Sequence, residues 1–121
     1  MKKKNYRGIQ CVKQHLSKCN GVCRTYDKIQ TAYVILLEQD NEIVSFECNV
    51  PLEGVAEDQY ASDIVAGKAD GTTMVRECVS RRHLGRPTTA KLLDISRNYW
   101  TGKGVTDWGI AVDKEDDNAG K

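Results

Sequence analysis

No apolar run in the chain approaches the roughly 20 residues needed to cross a bilayer as a helix. The opening Met1-Lys2-Lys3-Lys4-Asn5 leads into no apolar signal core. These two absences argue against a helical membrane protein and against secretion, so a cytoplasmic protein with no membrane partner is expected. An even cysteine count is missing too. There are five cysteines in 121 residues, and without a secretory signal a disulfide framework is not expected. No internal repeat and no second domain can be read, and the length suits one domain with its own core.

Net charge is nearly absent at +1, but the charges are segregated. Residues 1–28 carry Lys2, Lys3, Lys4, Arg7, Lys13, Lys18, Arg24 and Lys28 against Asp27 alone. Residues 29–72 are acidic, with Lys68 the one basic side chain. Arg76, Arg81, Arg82, Arg86, Lys91, Arg97 and Lys103 follow, and the tail from Asp113 is acidic again. Basic blocks around an acidic middle suit a nucleic-acid surface flanking a metal-binding centre. A solvated surface with clustered charges is the plain alternative. On the first reading, Lys2, Lys3, Lys4 and Arg7 of the arm and Arg81, Arg82 and Arg86 contact the phosphates of double-stranded DNA.

Cys11, His15, Cys19 and Cys23 recur every four residues. One straight helix cannot wrap such a run around tetrahedral zinc, although a break at Asn20-Gly21 could fold one pair onto the other. The spacing matches no familiar zinc module, and buried free thiols with a surface histidine are expected instead.

The basic arm, residues 1–24, has weak periodicity and is expected to order on contact with a partner. A helix is predicted over residues 27–38, with Thr25 or Asp27 as N-cap and Ile29, Ala32, Tyr33, Leu36 and Leu37 on its buried face. Residues 42–48 read as a strand of imperfect alternation, and residues 51–59 as a polar loop. A hairpin follows, residues 60–66 and 72–79 around a Gly-rich turn. Residues 80–87 read as a basic loop, Pro87 starts a second helix ended by Gly102 and Gly104, and Trp108, Ile110 and Val112 alternate in a last strand. Helix, three strands, helix, strand makes an α/β sandwich.

The hairpin carries an acid on each arm, Asp63 and Glu77. Two carboxylates on adjacent strands can converge on Mg²⁺ or Mn²⁺, which polarises a phosphate and activates water. Taken alone, the pair reads better as two solvent-facing acids on a hairpin.

The flanking residues resemble the N-terminal catalytic domain of TnsA, the endonuclease subunit of cut-and-paste transposases within the PD-(D/E)xK nuclease superfamily. The resemblance runs over residues 25–115. It rests on Ile29 to Asp40 with Ile43-Val44-Ser45-Phe46-Glu47, on Tyr60-Ala61-Ser62-Asp63-Ile64, and on Val75-Arg76-Glu77-Cys78-Val79. Its most specific block is Lys91-Leu92-Leu93-Asp94 through Trp100, with Gly104 to Glu115. It implies a single-domain, restriction-endonuclease-like sandwich with a central mixed sheet flanked by helices. It also implies metal-dependent cleavage of DNA, metal ligation by Asp63 and Glu77, and transposase or other mobile-element proteins as partners. The family's second, C-terminal domain would begin where this chain stops, so a single-domain relative or a fragment is expected, with an acidic tail at residues 116–121.

Two positions depart from the family pattern. Its helical acid falls at Gln30, and its catalytic lysine falls at Val79, which can neither orient water nor hold charge. Lys91 on the second helix is the first candidate to replace that lysine, with Lys68 and Arg76 behind it. Glu38 lies about 12 Å along the helix from Gln30 and is a poor stand-in for the acid. The expectations that follow are a degenerate metal-dependent endonuclease, or an inactive nuclease fold that binds DNA or a protein partner, for example by mimicking a transposase subunit.

Overall fold

The structure, a computed structural model, describes residues 11–19, 21–54 and 60–113. Helix α1 (Lys28–Gln39) starts where Asp27 accepts the Gln30 backbone N–H at 2.7 Å, a side-chain cap for a donor the helix leaves orphaned. Strands β3 (Ile43–Pro51), β4 (Ala61–Lys68) and β5 (Thr73–Val79) run antiparallel in sequence order. After a 3₁₀ turn (Arg81–His83), helix α2 (Pro87–Gly102) opens on the proline that sets a helical φ without a wasted N–H. Strand β6 (Asp107–Val112) returns parallel to β5, completing a mixed sheet of order β3-β4-β5-β6. The chain has an α/β fold with this central sheet flanked by α1 and α2. No helix among the described residues is long and apolar enough to cross a membrane.

Each face of the sheet has its own core. Val34 and Leu37 of α1 pack with Ile43, Phe46, Ile64, Ala66, Met74 and Cys78. On the other face, Trp100 of α2 packs with Leu52, Tyr60 and Val75. The imperfect alternation of β3 has a physical cause. The register skips from Ile43↔Lys68 to Ser45↔Gly67, so β3 spends one extra residue in a bulge that turns Val44 outward. Ile43 and Phe46 can then both face α1.

A second irregularity lies deeper. Cys48 and Ile64 pack on the α1 side, but Val50 and Ser62, two residues away along each strand, lie toward α2. Ideal strands keep i and i+2 on one face. Both strands therefore roll through the sheet between the pairs Cys48↔Ile64 and Val50↔Ser62, which bracket Asn49 and Asp63. Asn49 takes a positive φ of 60° there, a conformation asparagine tolerates better than most side chains.

The segment expected to order on contact is instead paired where it is described. Strands β1 (Val12–Gln14) and β2 (Cys23–Thr25) form an antiparallel ribbon. Long-range bonds hold it: the Ser17 and Lys18 N–H groups donate to Glu38, each at 3.1 Å, and the Phe46 N–H donates to Lys18 O at 2.9 Å. Such anchors leave no local periodicity to read. Lys2, Lys3, Lys4 and Arg7, and the tail at residues 116–121, lie outside the described residues.

Candidate functional site

The roll at Asn49 and Asp63 creates the polar centre. The β4–β5 ladder has Ile64↔Arg76 as its last pair on this side. Beyond it the strands part, and their backbone N–H groups would be buried without partners, which costs about 1–3 kcal/mol each. The two carboxylates fill that role. Asp63 Oδ2 accepts the Cys78 N–H at 2.7 Å, and Glu77 Oε1 accepts the Asp63 N–H at 3.1 Å. Each acid holds the backbone of the opposite strand.

Gln30 reaches the same place from α1. Its Nε2 donates to Asp63 O at 3.0 Å and to Asn49 Oδ1 at 3.1 Å, while its Oε1 accepts the Tyr26 N–H at 2.9 Å. An N–H can only donate and a carbonyl only accept, so these partners determine which way the amide points. Asn49 Nδ2 extends the chain by donating to Arg24 O at 2.9 Å.

On the other face, Ser96 of α2 donates to Glu77 Oε2 at 2.6 Å and accepts the Trp108 Nε1–H at 2.9 Å. Ser62 accepts the Trp100 Nε1–H at 2.8 Å and lies 3.5 Å from the Ser96 hydroxyl. An indole N–H is donor only, so the single Ser96 proton is directed at Glu77. The network ties α2 and β6 to the point where β4 and β5 separate.

The structure thus brings Asp63, Glu77 and Gln30 together, but not around an open cleft and not facing solvent. Asp63 is 1% exposed, Glu77 and Gln30 0%. Gln30 bonds the Asp63 backbone carbonyl through its amide nitrogen, which is no metal ligand. Magnesium usually keeps several waters, whereas here Asp63 and Glu77 are buried and each spends a carboxylate oxygen on a backbone N–H. In this arrangement the donor set does not fit a hydrated divalent cation. Among the described residues no group of three or more His, Cys, Asp and Glu side chains is placed to hold a metal ion.

Val79 is buried on β5 beside Val112 of β6. By alternation it faces the same side as Glu77. Lys91 is exposed on α2, and Ser96, five residues later on the same helix, bonds Glu77. Lys68 and Arg76, the weaker substitutes for the lysine, both pair with Asp107, Arg76 at 2.7 Å. Lys68 and then Arg76 hold the Asp107 carboxyl below the usual carboxylate range against its partial burial. Glu38 is bonded by Ser17 and Lys18, and the Ser17 hydroxyl foremost holds its carboxyl low.

The four-residue cysteine and histidine run is only partly kept together by the fold. Cys11 contacts Val12 O and His15 is exposed, while Cys19 and Cys23 stay hydrogen-bonded to each other and Cys23 also meets Cys48, a residue outside the run. Arg81, Arg82 and Arg86 are exposed around the 3₁₀ turn. Arg81 spends its backbone N–H and Nε on Asp113, at 2.7 and 2.9 Å.

No protein family model matches the chain, and no curated protein matches it either.

Sequence reasoning passed over Ser62, Ser96 and Asn49. One signal was available for Ser96. Leu92, Ser96 and Trp100 follow each other at intervals of four, so a serine on the buried stripe of α2 requires a buried partner. Asn49 and Ser62 carry no such signal, because the roll that gives them their partners is itself a product of packing.

Proposed function

We propose that this chain is a nuclease-like, TnsA-like domain of a mobile element that binds double-stranded DNA through its basic surface and whose acidic centre has become part of the scaffold. One observation carries the reading: Asp63 and Glu77 converge where a hairpin parts, yet each is committed to a backbone N–H of the opposite strand. Convergence at that position favours a nuclease ancestry. Burial and hydrogen-bond commitment, with Val79 where the family resemblance puts a lysine, favour binding over cleavage.

Support for DNA as the partner comes from the start of α2. Arg82 and Arg86 are exposed beside a helix N-terminus that has no side-chain cap and no acidic residue in its first turn. Helix N–H groups left over at that end, the positive end of the helix dipole and two guanidinium groups together suit a phosphate. Exposed Lys91 and Arg97 lie further along α2, Arg97 paired with Asp94 at 3.3 Å, and exposed Lys103 follows its end.

Titrating a fluorescent DNA duplex at rising salt tests this. Affinity should fall steeply, and Arg82→Ala with Arg86→Ala should make the log–log salt slope shallower by roughly 0.9 for each phosphate no longer neutralised. In parallel, supercoiled plasmid with Mg²⁺ or Mn²⁺ should remain uncut. Efficient metal-dependent nicking would restore the endonuclease reading. Salt-insensitive binding, or none at low salt, would point to a protein partner.

A further inference from the structure

The fold collects thiols that the sequence scatters. Cys23 on β2 and Cys48 on β3 are 25 residues apart, and their sulfur atoms are 3.6 Å apart. Cys19 belongs to the same group and forms an isolated bridge with Phe46 of β3. The backbones are already adjacent there: Asn49 Nδ2 bonds Arg24 O, one residue beyond each cysteine. A disulfide needs the sulfurs at about 2.05 Å, a closure that side-chain rotation across neighbouring strands can supply.

Access is one-sided. A cavity of about 300 Å³ is lined by Cys19, Cys48, Arg24, Tyr26, Glu47 and Asn49, while Cys23 lies behind it, 1% exposed. A small oxidant entering this cavity meets Cys48, and Cys23 is in reach to complete the reaction.

We infer that Cys23 and Cys48 form a reversible disulfide when the protein meets a peroxide, and that the bond clamps the N-terminal ribbon onto β3. The Cys48 sulfur attacks one peroxide oxygen, the O–O bond breaks, and a sulfenic acid and water result. Cys23 then attacks that sulfur, the S–O bond breaks, and a second water leaves with the Cys23 proton. Two thiols lose one electron each, and the peroxide gains two. The chemistry should be slow. Burial first, then Cys23 beside it, raises the Cys48 thiol well above its ordinary range and pushes Cys19 up to about 12, and the thiolate is the nucleophile.

The bond would sit next to the polar centre. Asn49 follows Cys48 directly and accepts from Gln30, so the clamp would stiffen the segment that orients the Gln30 amide.

The test is hydrogen peroxide treatment of the full chain, alkylation under denaturing conditions, and peptide mapping by mass spectrometry. A Cys23–Cys48 crosslink should form over hours, raise Tm by roughly 10 °C as a loop of this length predicts, and vanish on adding dithiothreitol with the Tm gain. Cys19→Ser and Cys11→Ser should keep both effects, and Cys48→Ser should lose both. A Cys19–Cys23 crosslink, sulfinic acid without crosslinking, or a Tm gain retained by Cys48→Ser would each overturn the inference. The wild-type peptide map decides the pairing even if Cys48→Ser folds poorly.

Discussion

Gln30→Glu should lower folding stability by about 3 kcal/mol, measured as a shift in the urea midpoint at constant slope. The substitution is nearly isosteric and restores the acid that the family resemblance places on the first helix, so a functional metal centre would welcome it. The local geometry gives the opposite sign. The Gln30 Nε2 donates to Asp63 O and Asn49 Oδ1, and a carboxylate would present an oxygen to both acceptors. Two buried hydrogen bonds disappear, an oxygen is brought against two acceptor oxygens, and a charge enters a site that is 0% exposed. Only the bond from the Tyr26 N–H survives. Native folding within about 0.5 kcal/mol of wild type, well below the penalty expected for orphaned buried groups, together with a Tm that rises with added Mg²⁺, would show that ions reach the centre, and the scaffold reading would fail.

Truncating Glu77 should cost more. Glu77→Ala is expected to lower stability by about 4 kcal/mol, combining a buried cavity with removal of the acceptor for the Asp63 N–H. That is a large part of the 5–15 kcal/mol typical of a domain. Glu77→Gln provides the contrast, at about 1 kcal/mol. The introduced amide oxygen can keep the Asp63 N–H, while the introduced NH₂ group meets Ser96 Oγ. That hydroxyl must then accept from both the new amide and Trp108, and send its proton toward Ser62, 3.5 Å away. Chemical denaturation followed by tryptophan fluorescence reads both variants, because Trp100 and Trp108 are partners in the network. Equal costs for Ala and Gln would mean that charge, not hydrogen-bond geometry, is what Glu77 supplies.

The same geometry bears on activity assays. Asp63→Ala removes the acceptor for the Cys78 N–H, so it perturbs the sheet whether or not the chain cleaves DNA. Loss of nicking in that variant would be uninformative without a parallel stability measurement.

Much of the architecture was legible in the residues themselves. A capping residue, Thr25 or Asp27, marked the start of α1, Pro87 marked the start of α2, the Gly-rich turn marked the hairpin, and alternating Trp108, Ile110 and Val112 marked β6. Each is a local signal: a cap, a fixed φ, a turn conformation or a period. The face α1 buries was misread in part, since Gln30, Val34 and Leu37 are buried while Ala32 and Leu36 are exposed. The proximity of Asp63 and Glu77 was legible as well, because a hairpin with a short turn restricts which residues can lie opposite each other.

What local signals could not carry is the direction and environment of those side chains. Ser62, Ile64 and Ala66 alternate as if on one face, yet Ser62 serves α2 and Ile64 serves α1, because β3 and β4 roll together at Asn49 and Asp63. The roll exists because two cores, one on each side of the sheet, must be filled by the same pair of strands. It leaves backbone N–H groups without a ladder, and burial makes that costly enough to claim both carboxylates. The residues alone placed two acids on neighbouring strands. Only the tertiary structure determined that they face backbone donors inside the protein, because burial and partnership depend on contacts between segments distant in sequence.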